Sequence, residues 1–260
     1  EGNRVEMPVP DCESSLRQAI RDAVRSAGIR AGDLAAVALA SQAQTFTVRS
    51  PAGQAKWTTF ISWRDTRSED DNGAAAELAD FADHCSVSAC LPCLTVANLA
   101  YLQRRAGQTP VDPDDTVLWL PTWFVAEWTG EAVVDVNLAA MSGLYSLRKE
   151  NWWDRALAVS GLRKHNLPRL ARLGGVAGTT AKSATAYGLP EGIPVVLAGN
   201  DQTAGAYGAG VHENHAVLIT LGTAQVVYSC QSAMPEPVPH LMRGPYPGGR
   251  FYQLGADDFV

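Results

Sequence analysis

The amino-acid sequence predicts an α/β fold divided into two domains. Short apolar runs of strand length alternate with stretches whose apolar residues recur at the spacing of an α-helix. A turn-rich connector at residues 189–194 contains two prolines and a glycine, and a Gly- and Ala-rich segment follows it. We therefore predict a first domain over residues 1–190 and the opening of a second α/β domain over residues 191–260.

The first part of the chain contains one predicted helix and three predicted strands. Residues 18–27 carry apolar side chains at helical spacing, and Gly28 is suited to end that helix. Residues 34–40 form a short apolar run that predicts a buried strand. Residues 45–48 and 58–61 indicate two further strands.

Helices follow in the middle of the chain. Residues 95–105 are amphipathic, and residues 117–128 begin as an apolar run and continue as a helix that Pro121 opens. Residues 151–161 and 181–187 predict two more helices.

Beyond the connector, strands return. Residues 195–199 are apolar and predict a buried strand, which a small-residue helix over residues 202–209 follows. Residues 216–221 and 225–229 indicate two strands after that helix. This order of elements is the basis for the boundary predicted near residue 190.

Composition excludes several classes of partner. The formal net charge is -6 and no block of Lys or Arg is present, so neither nucleic acid nor an anionic membrane is expected as a partner. The sequence contains no apolar run long enough for a membrane helix and opens on no secretory n-region. Five cysteines, an odd number, do not suggest a disulfide framework, and a cytoplasmic protein with reduced thiols is expected.

Asp201 is the first candidate catalytic residue. It lies just past the carboxyl end of a predicted buried strand, where open α/β sheets bind ligands. A carboxylate there can accept the proton of a substrate hydroxyl as that hydroxyl attacks phosphorus. Asp is also a good helix N-cap, and the spacing alone favours this second interpretation.

Gly222 and Thr223 form a candidate phosphate contact between two predicted strands. A glycine there lets the backbone approach a ligand closely, its amides can form an anion-binding concavity, and the Thr223 hydroxyl adds a donor. A plain hairpin turn explains the same residues, and taken alone the turn is the favoured interpretation.

Aromatic and polar residues after two early strands indicate a sugar site. Trp63 and Asp65 lie in the run Trp-Arg-Asp-Thr-Arg, and an aromatic ring beside polar groups is a combination that binds sugars. Gln42 and Gln44 follow an earlier strand and can add amide contacts to hydroxyls. The alternatives are a surface ion-pair cluster for the first run and an exposed polar loop for the two glutamines.

Two other motifs are weak. His84, Cys85, Cys90 and Cys93 are zinc-ligand types, but a single CxxC without a second pair does not predict a metal site, so none is predicted. Residues 176–183 end like a phosphate-binding P-loop but lack both of its required glycines.

Collinear segments resemble the FGGY carbohydrate kinases, which include xylulokinases, gluconokinases and glycerol kinases. Ile219-Thr-Leu-Gly-Thr resembles the family's Ser-Leu-Gly-Thr-Ser phosphate loop, and Ala198-Gly-Asn-Asp-Gln resembles the segment that contains its Gly-Asp catalytic motif. The similarity runs along nearly the whole chain. The other matching segments are 61–67, 129–144 and 175–195.

The resemblance implies a two-domain actin/ribonuclease-H-like (ASKHA) kinase fold, with ATP and sugar in the cleft between the domains. It implies that Asp201 is the general base, that Gly222 and Thr223 contact ATP phosphates, and that Mg²⁺ bridges those phosphates. The second domain is expected to be incomplete, and the first to lack the family's opening Asp-x-Gly-Thr hairpin. The chain as given is therefore expected to hold only half of the nucleotide site and to be inactive alone.

The resemblance also assigns the sugar side. Gln42 and Gln44 fall where xylulokinases have Gln-Met-His-Gly, and Asp65 and Gln202 match further substrate-side positions. Two departures from the family pattern are Asn98, where a lysine is common, and Ala224, where a serine is usual.

The function expected is ATP-dependent phosphorylation of a hydroxyl of a small sugar, sugar acid or polyol. The alternative is a non-catalytic carbohydrate-binding or regulatory remnant of the same fold. A homodimer is left open by the sequence.

Overall fold

The computed structural model of the protein describes residues 3–71, 73–105, 111–213, 216–221 and 224–258. The strands are β1 (Glu6–Pro8), β2 (Val37–Ser41), β3 (Phe46–Arg49), β4 (Thr59–Ile61), β5 (Thr116–Trp119), β6 (Val133–Asp135), β7 (Tyr145–Ser146), β8 (Asn151–Trp152), β9 (Arg169–Ala171), β10 (Val176–Thr179), β11 (Pro194–Asn200), β12 (Val217–Leu221), β13 (Ala224–Gln231), β14 (Leu241–Tyr246) and β15 (Arg250–Asp258). The helices are α1 (Val9–Ser26), α2 (Gly73–Glu77), α3 (Phe81–His84), α4 (Thr95–Arg104), α5 (Leu120–Thr129), α6 (Val136–Met141), α7 (Asp154–Val159) and α8 (Asp201–Gly208). None of the helices in these ranges combines the length and apolar character that crossing a bilayer requires.

Two sheets organise the first part of the chain. A four-stranded sheet has the order β1-β4-β3-β5, and its neighbouring strands are antiparallel. A three-stranded sheet has the order β10-β11-β2, in which β11 runs antiparallel to β10 and parallel to β2. The strands predicted at residues 34–40, 45–48, 58–61 and 195–199 are thereby confirmed.

The junction of β5 and α5 shows how local chemistry sets an element. Pro121 lies in the first turn of α5, where its missing N–H removes no intrahelical hydrogen bond. Gly130 follows the helix in the left-handed conformation, with φ of 81°, and its N–H donates to the Ala126 carbonyl at 2.9 Å. A residue without Cβ adopts that conformation at little cost, so the predicted helix and its end are confirmed.

In the part of the chain that the structure describes, three apolar clusters form the interior, and the third joins the two parts of the chain. The first packs α4, α6 and α7 on the inner face of β3 and β5, and the second packs α5 against β10 and β11. The third places Met141 of α6 and Ala206 of α8 against Tyr228 and Tyr252 of the last sheet. Full burial of one large apolar side chain contributes roughly 1.5 to 3 kcal/mol, so this cluster fixes the last sheet on α6 and α8.

Two predicted helices differ from the structure. Of residues 151–161, only Asp154–Val159 is helical, because the residues before it form β8 and pair with β7. Residues 181–187 form a 3-10 helix, Lys182–Tyr187, whose last side chain packs edge-on against the Trp128 ring. In both places tertiary pairing and packing override the helical period of the sequence.

The last sheet has the antiparallel order β12-β13-β15-β14. The boundary expected near residue 190 would assign β11 to the same domain as this sheet. β11 instead pairs with β2 and β10, and α8 follows it without a break. We therefore propose that the second domain begins after α8, between Gly208 and Val217.

Candidate active site

The carboxyl ends of β2 and β11 meet at one edge of the three-stranded sheet. The two strands are parallel, and Ser41 at the end of β2 is the register partner of Asn200 at the end of β11. Gln42 and Asp201 are the next residues of the two strands, so they follow the same sheet edge. Ligands of open α/β sheets bind outside such strand ends.

Asn200, and not Asp201, caps helix α8. The side-chain Oδ1 of Asn200 accepts hydrogen bonds from the backbone N–H groups of Gln202 at 3.0 Å and Thr203 at 3.4 Å. Asp201 is the first residue of the helix, and its side chain is exposed. The N-cap interpretation of Asp201 is therefore wrong, and the carboxylate lies in the positive end of the helix dipole, which favours its negative charge.

The Asp201 carboxylate is held at one oxygen. Its Oδ1 accepts from the Asn200 Nδ2 at 2.8 Å and from the Gln202 backbone N–H at 2.8 Å. Within the described ranges, Oδ2 accepts no hydrogen bond. A carboxylate with one anchored oxygen and one open oxygen has the form that a general base requires.

Gln42 and Trp63 are brought together by Thr45. The buried Thr45 Oγ1 accepts from Gln42 Nε2 at 2.8 Å and from the Trp63 backbone N–H at 3.1 Å. The Trp63 side chain is 48% exposed although it belongs to a residue type that usually packs in the interior. An exposed aromatic ring is suited to stack on a sugar, and Gln42 follows a neighbouring strand on the chain segment that Thr45 ties to Trp63.

Gln44 lies neither at an open position, as the predicted sugar contact requires, nor in an exposed polar loop, as the alternative held. It is buried, with a left-handed φ of 65°, and its Nε2 donates to the Met141 carbonyl. Its Oε1 accepts from the Thr95 backbone N–H at 3.0 Å and from the Thr95 hydroxyl at 3.2 Å. Both ends of the amide are thus bound inside the protein, where they hold the loop that carries Gln42.

Asp65 is also buried, with none of its surface exposed. Its carboxylate accepts from Arg67 Nε at 2.8 Å, from Arg67 Nη2 at 2.6 Å and from the Val5 backbone N–H at 2.7 Å. The cluster is therefore an ion pair, as the alternative interpretation held, but a buried one. Neither Asp65 nor Gln44 has the open position expected of a direct sugar contact.

The remaining predicted residues fall on α8 and on the β12–β13 connection. Gln202 is half-buried in the first turn of α8, next to Asp201. Gly222 and Thr223, the predicted phosphate contacts, lie outside the described residues. Among the described residues, no group of three or more His, Cys, Asp or Glu side chains is placed to hold a metal ion.

Asp135 is a buried acid close to Gly199 at the end of β11, and it was missed as a candidate. It is the N-cap of α6, and its Oδ1 accepts from the backbone N–H groups of Asn137 and Leu138, both at 3.0 Å. Burial raises the pKa of the Asp135 carboxyl to about 6, although hydrogen bonds from Leu138 and Asn137 oppose that shift. The signal in the sequence was the Asp before a short apolar helix, a typical N-cap pattern.

The chain is similar in sequence to a known family and to proteins within it. A model of the N-terminal domain of the FGGY family of carbohydrate kinases matches residues 8–208. Autoinducer-2 kinase from Yersinia enterocolitica is 27% identical over 234 residues, and the match covers 84% of this chain and 44% of that protein. L-fuculokinase from Escherichia coli K12 is 35% identical over 100 residues, which cover 38% of this chain and 21% of that protein.

Solved structures share the fold. The xylulose kinase from Rhodospirillum rubrum superposes with a TM-score of 0.86 at 19% identity, and the match covers 100% of this chain and 54% of that structure. The fold is thus the actin-like α/β architecture of the sugar kinases, of which this chain spans about half the length. Because the family model matches most of its residues, the chain belongs to the FGGY family of carbohydrate kinases.

Proposed function

We propose that the protein containing this chain transfers the γ-phosphoryl group of ATP to a hydroxyl of a small sugar, sugar acid or polyol. The observation that carries the proposal is the exposed Asp201 carboxylate at the shared edge of β2 and β11, freed from helix capping by Asn200. Asp201 accepts the proton of the substrate hydroxyl as that oxygen attacks phosphorus. General-base catalysis of this kind contributes roughly 10²- to 10⁴-fold to the rate.

The sugar binds between Trp63 and the first turn of α8. The exposed Trp63 ring offers a stacking surface, while Gln42 and Gln202 offer amide groups to hydroxyls. We propose that Gln44 and Asp65 act indirectly, since their polar atoms are bound within the protein and hold the two loops in place.

We propose Mg²⁺ as the ion that accompanies the ATP phosphates at this site. Mg²⁺ takes oxygen ligands and is commonly bound by one or two carboxylates together with substrate phosphates. Asp201 is assigned as the base, and the described residues include no cluster of metal-ligand side chains, so the ion would be held mainly by the ATP phosphates. When bound, the ion neutralises charge on the transferring phosphoryl group. Gly222 and Thr223 remain the proposed contacts to the ATP phosphates.

The test is Asp201→Asn in the complete protein. We expect turnover to fall by about 10²- to 10⁴-fold, while the sugar still raises the melting temperature as in the unmodified protein. The matched control is Asp154→Asn, since Asp154 is also an exposed first residue of a helix but lies on α7. Near-normal ADP release by Asp201→Asn would contradict the assignment of the base.

The substrate can be identified by testing a panel of compounds. A panel is needed because the relatives are named for different substrates: autoinducer-2 kinase, L-fuculokinase and xylulose kinase. ADP release and melting temperature are measured with each sugar, sugar acid and polyol. Release of ADP with one class of compound supports the kinase. A sugar-dependent rise in melting temperature without ADP release in the complete protein would instead support a carbohydrate-binding remnant.

A further inference from the structure

Asn137 lies where three elements meet, and it has no role in the function proposed above. It is the second residue of α6 and has no exposed surface. Its Oδ1 accepts from the Asn200 backbone N–H at 2.9 Å. Its Nδ2 donates to the Thr203 hydroxyl at 3.1 Å and to the Pro245 carbonyl of β14 at 2.8 Å. One carboxamide therefore joins α6, the start of α8 and the last sheet.

The two contacts on α8 bracket the candidate base. Asn200 is the helix cap and Thr203 the third helical residue, so Asp201 lies between two points that Asn137 holds. Asn200 in turn donates its Nδ2 to Asp201 Oδ1 at 2.8 Å. A continuous chain of hydrogen bonds thus runs from the interior to the carboxylate.

The third contact of Asn137, to the Pro245 carbonyl, links the segment that carries Asp201 to the last sheet. Pro245 belongs to β14, and Tyr228 of β13 places its hydroxyl 2.8 Å from the Thr203 hydroxyl. Phosphoryl transfer needs the acceptor oxygen and the phosphorus roughly in line, and a misplacement of about 1 Å can cost 10²-fold in rate. β12 of the same sheet ends at Leu221, directly before the proposed phosphate contacts in the sequence, so the Asn137 side chain links the start of α8 to the sheet that leads to them.

Asparagine is suited to this position by its hydrogen-bonding groups. The carboxamide offers one acceptor oxygen and two donor hydrogens, which match one backbone N–H, one hydroxyl and one carbonyl. Aspartate keeps the shape and the acceptor but loses both donors. The Asp135 cap fixes the helix end from which Asn137 projects, because its Oδ1 accepts the Asn137 backbone N–H.

We propose that Asn137 is a positioning residue that sets the orientation of Asp201 relative to the second sheet. This inference rests on the proposed function of Asp201. Asn137 itself touches neither substrate nor phosphate in the proposal; it acts through Asn200 and Thr203.

The test is a double-mutant cycle of Asn137→Ala and Asp201→Asn in the complete protein, with kcat and the sugar KM measured for each variant. We expect Asn137→Ala alone to lower kcat roughly 10- to 100-fold and to change the sugar KM less than about 3-fold. In the Asp201→Asn background the same substitution should lower kcat no further, since no base is left to position.

The outcomes separate the two proposals. Equal losses from Asn137→Ala in both backgrounds, or an unchanged kcat with Asp201 present, would overturn the positioning role. Near-normal turnover of Asp201→Asn would overturn the base assignment, and the positioning role with it. If Asn137→Ala does not yield folded protein, Asn137→Asp keeps the shape of the side chain and enters the same cycle.

A buried asparagine elsewhere is the control. Asn166 is buried, and its Nδ2 donates to the carbonyl groups of Asp112, Pro113 and Asp115, none of which lies on α8 or the last sheet. Asn166→Ala should lower the melting temperature but leave kcat per folded molecule within about 2-fold of the unmodified protein, because none of these three partners of its side chain is a proposed site residue.

Discussion

Asn200 and Asp201 divide two tasks: Asn200 caps helix α8, and Asp201 presents an exposed carboxylate. The Asn200 oxygen satisfies the free N–H groups at the start of α8, while its amide nitrogen donates to the neighbouring carboxylate. An aspartate at position 200 could cap the helix but could not donate, and it would add a second negative charge. The asparagine thus leaves Asp201 both anchored and exposed, as a base for a bound hydroxyl requires.

Asp135 is the buried acid next to this site, and its titration affects stability. Its Oδ2 is buried and makes no hydrogen bond of good geometry within the described residues; the nearby Gly199 backbone N–H opposes the rise of the pKa, and burial outweighs it. The folded pKa of about 6 lies above the usual value near 3.8, so the folded state binds this proton more tightly than the unfolded state. The contribution of Asp135 to the free energy of unfolding therefore falls as pH rises from about 4 to 6, and it stays low above pH 6. The total loss is about 1.4 kcal/mol for each unit by which the folded pKa exceeds the unfolded pKa.

We predict that Asp135→Asn removes this dependence. Relative to the unmodified protein, its melting temperature should rise as pH increases from 4.5 to 7.5, because asparagine carries no buried charge at any of these values. The control is Asp114→Asn at an exposed aspartate, which should run parallel to the unmodified protein. A constant difference between Asp135→Asn and the unmodified protein across this range would contradict the buried charge.

At the scale of elements, the turn from β11 into α8 determines where the base lies. Gly199 has a φ of 75°, and a Cβ added there would lie 2.8 Å from Leu173 Cδ1 and 3.0 Å from Asn137 Oδ1. Glycine is needed both for the left-handed backbone and for the close approach of Asn137. The turn therefore depends on two separate properties of one residue.

Gly199→Ala should lower both stability and turnover. The left-handed backbone conformation costs an L-amino acid other than glycine about 1 to 2 kcal/mol of folding free energy. Displacement of the Asn137 oxygen by the new Cβ adds to that cost. The control is Gly192→Ala, because Gly192 has a φ of 88° but open space around its Cβ position. Gly199→Ala should therefore lose more melting temperature than Gly192→Ala, and it alone should lose turnover. Equal effects of the two substitutions on both quantities would show that the close contact is unimportant.

The sequence predicted most elements because their signals are local. The apolar run of β11 and the Pro121 signal of α5 depend on neighbours within a few residues. The apolar run also predicts where β11 ends. The sheet edge at that point, and the candidate base Asp201 just after it, could therefore be predicted as well.

What could not be predicted depends on partners distant in sequence. The sequence does not show that Gln44 bonds to Thr95 and Met141, and these contacts account for its burial. The Asn137 contacts likewise span more than 60 positions, to Asn200 and beyond. Hydrogen bonds of this kind have no periodic signal, so the site's supporting residues appear only in the folded structure.

At the scale of the whole molecule, the last sheet has one packed face and one open face. Tyr228 and Tyr252 pack inward against α6 and α8. On β12, which is an edge strand, alternate residues point the other way, and Val217, Ile219 and Leu221 are 53%, 54% and 74% exposed. Large contiguous apolar patches on a sheet edge promote association between chains.

A polypeptide of these 260 residues should therefore bind an apolar fluorescent dye and associate as its concentration rises. Ile219 is the middle one of these three exposed residues of β12. It is also the register partner of Val227, which is exposed too. Ile219→Lys should lower dye fluorescence and shift the polypeptide toward the monomer in sedimentation, because it places a charge in the middle of the patch. Val176→Lys, at an equally exposed valine on β10, is the control and should change neither quantity. If both substitutions act alike, exposure in general causes the association; if only Ile219→Lys acts, the open face of the last sheet does.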